Sequence, residues 1–177
     1  MRHTMHFGFK WEVASMFCPR CGIESLQKRS EKEFACGCGF HYFQNVASAV
    51  MVALCWQDEV LVAVRGREPG KGLLDLPGGF VDPGESLEEA LVRELKEELG
   101  LDLGIEAPRY VGSFANVYPY DDVVYHTCDT VFMLELAHKP AVTAAACEWR
   151  KLREIYPTEF AFRSTGAAIG QLQRLRG

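Results

Sequence analysis

Residues 79–101 read GFVDPGESLEEALVRELKEELGL, and within them Glu94, Glu97 and Glu98 fall where an amphipathic helix should be apolar. A helix begun at Ser86 advances about 100° per residue, which gathers Leu87, Ala90, Leu91 and Leu95 into one stripe facing a core. On that wheel Glu94 and Glu98 project within roughly 20° of Leu87, and Glu97 lies at the near edge of the stripe. Adjacent carboxylates that are partly buried repel one another and lose hydration unless cations neutralise them. Oxygen ligands one turn apart, on a helix held against a core, make a seat for Mg²⁺ or Mn²⁺. The alternative is a solvated acidic face, and the side of the helix that carries the glutamates argues against it.

The flanks define the ends of this element. Gly78-Gly79 follows Leu76-Pro77 and predicts a tight turn, and Asp82-Pro83-Gly84 is a second turn signal. Ser86 with Glu89 three residues later forms a capping box that starts the helix. Gly100 stands where a C-cap belongs. A glycine-rich loop followed by a capped helix with inward carboxylates is suited to holding metal at one end.

Taken together, Gly79, five residues, Glu85, seven residues, Arg93-Glu94-Leu95, one residue, Glu97-Glu98, one residue and Gly100-Leu101 closely resemble the complete Nudix box. That many specified positions across 23 residues is a specific signal. The resemblance implies an α/β/α sandwich and divalent-metal-dependent hydrolysis of nucleoside diphosphates linked to another moiety. It implies that Glu94, Glu97 and Glu98 are the metal-ligand set, or that one of them polarises the water instead, and that the Gly79 carbonyl joins them. It also implies that Glu85 and Arg93 pair to fix the loop against the helix.

A second pattern lies upstream. Cys18-Pro-Arg-Cys21 and Cys36-Gly-Cys38 are two pairs separated by fourteen residues, the layout of a four-thiolate zinc ribbon. The second pair is tighter than the usual two-residue gap. Ala35 occupies the position of the expected cysteine, and His41 is a candidate substitute ligand. Structural Zn²⁺ competes here with a disulfide and with free thiols, and the absence of any sign of export disfavours the disulfide. Cys55, Cys128 and Cys147 sit in apolar stretches and read as small core residues.

Composition sets outer bounds. The chain has 177 residues and a net charge of −5, enough for a small N-terminal module over 1–44 and a catalytic domain over 45–177. No apolar run is long enough for a membrane span, and Arg2, His3 and Lys10, scattered among aromatics, break up any signal-peptide core. A cytoplasmic protein follows as the expectation. The acidic balance, with no basic cluster, argues against nucleic-acid binding through phosphate contacts. Metal ions can still bridge an acidic enzyme to a polyanionic substrate.

From Asn45 the chain turns apolar. Ala47 to Trp56 and Val60 to Arg65 read as strands around a Gln57-Asp58-Glu59 turn, with Gln27 to Glu33 as a polar tip in the ribbon. Tyr110 to Asn116, Val123 to Leu136 and Trp149 to Leu152 read as further strands, and Phe160 through Leu175 as a C-terminal helix. A mixed sheet between helices is the expected fold.

The ribbon beside the box resembles the NADH pyrophosphatase group and its relatives, and by that resemblance a homodimer is expected. The Ser-Gln-Pro-Trp-Pro-Phe-Pro run of that group is replaced by SFANVYPY over Ser113 to Tyr120. Tyr118 and Tyr120 can stack a flat heterocycle, or serve as ordinary strand aromatics. Arg65 and Arg67 can grip a phosphate, or remain solvated surface arginines. Thr143 to Cys147 carries no acidic residue where this family often has an extra ligand, which leaves Glu148 beside Trp149. The expected substrate class is NAD(H), ADP-ribose or a similar conjugate. A nucleoside triphosphate hydrolase and a Nudix-fold nucleotide sensor without turnover are the alternatives.

Overall fold

Alternation of aliphatic side chains decides the architecture of the larger unit. The computed structural model describes residues 16–102, 108–120, 123–142 and 146–177. The chain divides into two compact units, Met1–Asn45 and Val46–Gly177. Residues 1–15 of the expected N-terminal module lie outside the described residues.

In the first unit β1 (Met16–Phe17), β2 (Glu24–Lys28), β3 (Glu33–Ala35) and β4 (His41–Phe43) form an antiparallel sheet in that order. Gln27, Lys28 and Glu33 belong to the paired strands, so the polar tip is shorter than the charge pattern suggests. Cys18, Leu26, Phe34 and Cys36 make the small core.

The second unit is built on β5 (Ala47–Trp56), β6 (Glu59–Val64), β9 (Arg109–Tyr120), β10 (Val123–Glu135) and β11 (Cys147–Lys151), with β7 (Leu74–Asp75) and β8 (Gly78–Phe80) added along it. The sheet order is β11-β6-β5-β10-β9, with β7 paired to β6 and β8 to β5. β10 runs parallel to β5 and the remaining pairs are antiparallel, so the sheet is mixed. Successive strand residues face opposite ways. Val50, Val52 and Leu54 of β5, Leu61 of β6 and Phe132 of β10 meet Ala90, Leu91, Leu95 and Leu99 of α1 (Leu87–Leu99). Ala53, Cys55, Val60, Val62, Val131 and Met133 meet Ala168, Ile169 and Leu172 of α2 (Arg163–Arg176) on the other face. The result is the α/β/α sandwich.

Several elements differ from expectation for definable reasons. Gly78 and Gly79 form β8 rather than a turn, because Met51 and Val50 pair with them. β9 continues to Tyr120 through Pro119, which is tolerated because among the described residues β9 is an edge strand paired with β10 alone. α2 begins at Arg163, later than the apolar pattern suggests. Phe160 is held extended by a bridge to Leu74, and Ala161 N donates to Leu74 O at 2.9 Å. Cys128 is exposed rather than a core residue, since its neighbours Thr127 and Asp129 occupy the buried face of β10. Cys55 is fully buried and Cys147 half-buried.

Candidate active site

Ser86 accepts from Glu89 N at 3.2 Å while the Glu89 carboxylate accepts from Ser86 N at 2.7 Å, so α1 begins with the reciprocal box. Gly100 closes it in the left-handed conformation at φ 67°. Four buried side chains, Ala90, Leu91, Leu95 and Leu99, fix which face of α1 meets the sheet. Of the three glutamates expected on the inward side this leaves Glu94 turned in, whereas Glu97 and Glu98 are exposed.

Their surroundings differ. The Glu94 side chain is 12% exposed and takes a hydrogen bond from Arg93 NH1 at 2.7 Å. Glu97 is 60% exposed and meets the same nitrogen at 3.3 Å. Glu98 is exposed as a residue, and its carboxylate accepts from Gly78 N at 3.0 Å. Burial pushes the Glu98 carboxyl up, against the opposing pull of the Gly78 amide. Arg93 also clasps Glu85 bidentately at 2.8 and 2.9 Å and donates to Phe80 O at 2.9 Å. One guanidinium thus ties β8, the loop after it and α1 together, and it holds the Glu85 carboxyl below its ordinary range.

Two observations bear on whether a divalent cation suits this place. A Cβ built on Gly79 would lie 2.4 Å from Glu94 Oε1, so the backbone approaches the carboxylate as closely as an unsubstituted residue allows. The Glu98 carboxylate has one amide donor, and its ionised form is disfavoured by burial and by the nearby Glu94 and Asp75 charges. Hard oxygen donors of this kind fit Mg²⁺ or Mn²⁺. The three glutamate oxygens are not drawn into one tight group: among the described residues only four cysteines bring three or more donor atoms within 4.8 Å of one another.

Glu98, Gly78 and Gly79 line a cavity of about 410 Å³ with Arg65, Arg67, Asp75, Tyr118, Asp129, Cys147 and Phe162. Arg67 is an exposed arginine at its lip, and its charge acts on Glu98. Arg65 is neither solvated nor wholly free for a phosphate. Its NH1 donates to Asp75 at 2.6 Å, its Nε to Pro69 O at 2.7 Å, and its guanidinium lies 4.7 Å from the centre of the Phe162 ring. Burial pushes the Asp75 carboxyl up even though Arg65 pulls it down. Tyr118 lines the cavity and contacts Phe80 and Phe162 at 5.8 and 5.5 Å between ring centres. Tyr120 stacks on Tyr118 at 6.2 Å but is half exposed and outside the lining. Glu148 is exposed and meets Arg150, and 143–145 lie outside the described residues.

Sequence reading assigned no role to Asp75, Phe80, Asn116, Asp129 or Phe162, all of which line this cavity. The available signal was a charged residue inside an apolar strand: Asp75 between leucines, and Asp129 ahead of Thr-Val-Phe-Met-Leu.

The cysteine cluster belongs to the first unit. Cys18 and Cys38 sulfurs are 3.7 Å apart, as are those of Cys21 and Cys36. A tetrahedron with Zn–S bonds of about 2.3 Å has an edge near 3.8 Å, so the spacing suits one zinc ion. His41 is turned away to Glu33 at 2.8 Å and is no substitute ligand, and buried Ala35 lies just before the second knuckle in β3. The Cys38 amide and the Ser25 hydroxyl pull the Cys36 thiol down to about 6, which favours thiolate. Replacing Cys18 and Cys21 with Ser is expected to abolish binding of about one zinc equivalent and lower the first unit's melting temperature. Elemental analysis with a melting curve checks this, and unchanged zinc content would remove the assignment.

A family model described as NUDIX domain matches residues 45–167. The NAD-capped RNA hydrolase NudC of Stutzerimonas stutzeri is 31% identical over 111 residues, covering 62% of this chain and 39% of that protein. The Haemophilus influenzae protein of the same name is 32% identical over 116 residues, 64% of this chain and 43% of that one. The chain thus spans about two fifths of the length of these curated relatives. Among solved structures, a MutT Nudix hydrolase from Burkholderia pseudomallei aligns with a TM-score of 0.60 at 26% identity, covering 72% of this chain and 98% of that one. A Nudix hydrolase from Nitrosomonas europaea aligns at 0.56 and 24% identity over 91% and 93%, a likeness of fold. With its glycine loop, capped glutamate helix and sandwich in place, the chain belongs to the Nudix family.

Proposed function

We propose that the protein is a divalent-metal-dependent pyrophosphohydrolase that cleaves the diphosphate bridge of an NAD(H)- or ADP-ribose-type conjugate. The observation that carries this reading is that Glu98 and Gly78-Gly79 line the same cavity as Arg67 and Tyr118, so carboxylates, a cation and a ring surface converge. Water adds to one phosphorus, the bridging P–O bond breaks and two phosphomonoesters leave. Glu94, Glu97, Glu98 and the Gly79 carbonyl would hold Mg²⁺ or Mn²⁺. The metal, when bound, polarises phosphoryl oxygen and lowers the pKa of water.

The chain's own residues do the positioning. Arg93 fixes Glu94 and Glu85 by direct hydrogen bonds, which keeps the loop and helix in one geometry as charge develops. Arg67 draws the diphosphate toward Glu98 by its charge. Arg65 stiffens the cavity through Asp75. One of the glutamates accepts the proton of the attacking water. The substrate is a small nucleotide conjugate. An acidic chain offers no basic track for following RNA phosphates, so a substrate with such a cap would engage by its dinucleotide end. The zinc cluster is a closed, structural site. A reducing cytoplasm suits its thiols, and a homodimer belongs to the same reading and is checked by light scattering. Among the described residues no helix is long and apolar enough to cross a membrane.

The test is a panel of dinucleotides, ADP-ribose and nucleoside triphosphates incubated with Mg²⁺ or Mn²⁺, with products separated by chromatography. Two monophosphate products from a dinucleotide are expected. Pyrophosphate release from triphosphates alone points to the triphosphate reading, and binding without turnover to a sensor.

Tyr118 and Tyr120 divide the ring-binding role unequally. Tyr118→Ala is expected to raise KM about tenfold with little change in kcat, because stacking is nearly equal in ground and transition states. Tyr120→Ala, outside the cavity lining, should raise KM by less than about threefold. Steady-state kinetics on the best substrate decide this, and a parental KM in the Tyr118 variant would place the ring elsewhere.

A further inference from the structure

The cavity holds two polar atoms that no step above uses. Asp129 of β10 is 1% exposed and sits beside buried Thr127 and Thr130. Its Oδ1 accepts from Thr127 Oγ1 at 2.6 Å, while Oδ2 is buried with no hydrogen-bond partner among the described residues. Arg65 NH2 is likewise buried and unpartnered, its other nitrogens being committed to Asp75 and Pro69. The two residues do not pair with each other, yet both line the same cavity. An unpaired acceptor and an unpaired donor are each costly to bury, and a native structure that keeps both calls for an explanation.

The surroundings suggest what completes them. Tyr118 and Phe162 supply ring faces in that cavity, and Asn116, the register partner of Thr127, lines it from β9. A flat heterocycle against Tyr118 would turn one polar edge toward the sheet. Asp129 is locked by Thr127, and Arg65 by Asp75, Pro69 and the Phe162 face, so both are set before a ligand arrives.

We propose that Asp129 Oδ2 and Arg65 NH2 read the edge of the bound ring, Asp129 accepting from an amino group and Arg65 donating to an acceptor beside it. The ligand class is a planar heterocycle with –NH₂ next to a carbonyl or ring nitrogen. A nicotinamide carboxamide and the amino edge of adenine share that chemistry. A carboxylate or oxo group in place of the amino group would leave Asp129 unpaired and facing a second acceptor. The pair determines specificity and takes no part in bond breaking. The inference rests on the proposed reading that a dinucleotide-type conjugate occupies this cavity.

The test compares three substrates with the full-length protein: NAD⁺, nicotinic acid adenine dinucleotide, and nicotinamide hypoxanthine dinucleotide. The wild type is expected to disfavour one analogue by at least about tenfold in kcat/KM, mostly through KM, and the penalised analogue identifies the ring being read. D129N, whose amide can present N–H to the new acceptor, is expected to bring that analogue to within about threefold of NAD⁺, with an unchanged melting curve. If D129N does not fold, T127V should blunt the same discrimination, because it frees the carboxylate from its orienting hydroxyl. Equal use of all three substrates by the wild type overturns the inference and leaves the hydrolase reading standing. Undiminished discrimination in a folded D129N overturns it too. If none is hydrolysed, the dinucleotide reading falls, and calorimetric binding of the same three compounds decides this inference: about tenfold weaker binding of one analogue supports it, and equal or absent binding of all three ends it.

Discussion

Glu98→Gln is expected to lower kcat by about 10²-fold or more while leaving the metal-free protein as stable as the parent, or more so. Glutamine keeps the length, the helix propensity and an oxygen that can accept from Gly78 N, which Glu98 now meets at 3.0 Å. Only the charge is lost. In the metal-free protein that charge is a liability, since burial and the nearby Glu94 and Asp75 charges all disfavour it. With metal present the sign reverses, because an anionic ligand stabilises the cation. The rise in melting temperature on adding Mg²⁺, set by mass action, should therefore shrink in the variant. A purely structural ion-pair role predicts lower stability with full turnover. Kinetics and melting curves on one purified sample, with and without Mg²⁺, separate the two.

Gly78→Ala should be the most damaging single methyl group in the domain. The residue sits at φ 147° in β8, and a Cβ there would lie 2.1 Å from Val50 O and 2.8 Å from Met51 Cα. Both obstacles are backbone of the central strand β5, which cannot turn aside as a side chain can. Loss of about 3 kcal/mol or more is expected, from clash and from a conformation side chains rarely adopt. That corresponds to a fall in melting temperature of roughly 6–12 °C for a chain of this size. Activity should drop as well in whatever folds, since displacement of β8 pulls the Gly78 amide from Glu98. Urea denaturation provides the measurement, and a loss below about 1 kcal/mol would show that β8 can shift as a unit.

The two predictions differ in how much of each was legible in sequence. Glu98 could be singled out from the helical wheel alone, because Leu87, Ala90, Leu91 and Leu95 fix the buried stripe and every residue involved is local. Gly78 could be read only as a turn, since the strand that forbids its side chain is nearly thirty positions away in the chain. The aromatic wall divides the same way. Tyr118 and Tyr120 are both plausible ring partners in sequence, but only the pairing of β9 with β10 and the arrival of Phe162 put the first inside the cavity and leave the second half exposed.

The sequence by itself determined what depends on short-range periodicity and covalent spacing. The capping box, the left-handed Gly100 stop, the placing of Glu94 against the core and the two cysteine pairs each lie within a few residues, where helix pitch and turn chemistry leave few alternatives. The apolar run from Ala47 to Trp56 was likewise enough to read as a strand, and it is buried against both faces of the sheet. The tertiary structure alone decided which distant groups share a space. Arg65 is taken up by Asp75 ten positions on, His41 is turned to Glu33 while four sulfurs gather without it, and Asp129 is brought into the cavity that Gly78 and Gly79 line, with one oxygen unpaired among the described residues. These outcomes follow from strand register and from the exclusion of water, and neither can be computed from a residue and its immediate neighbours.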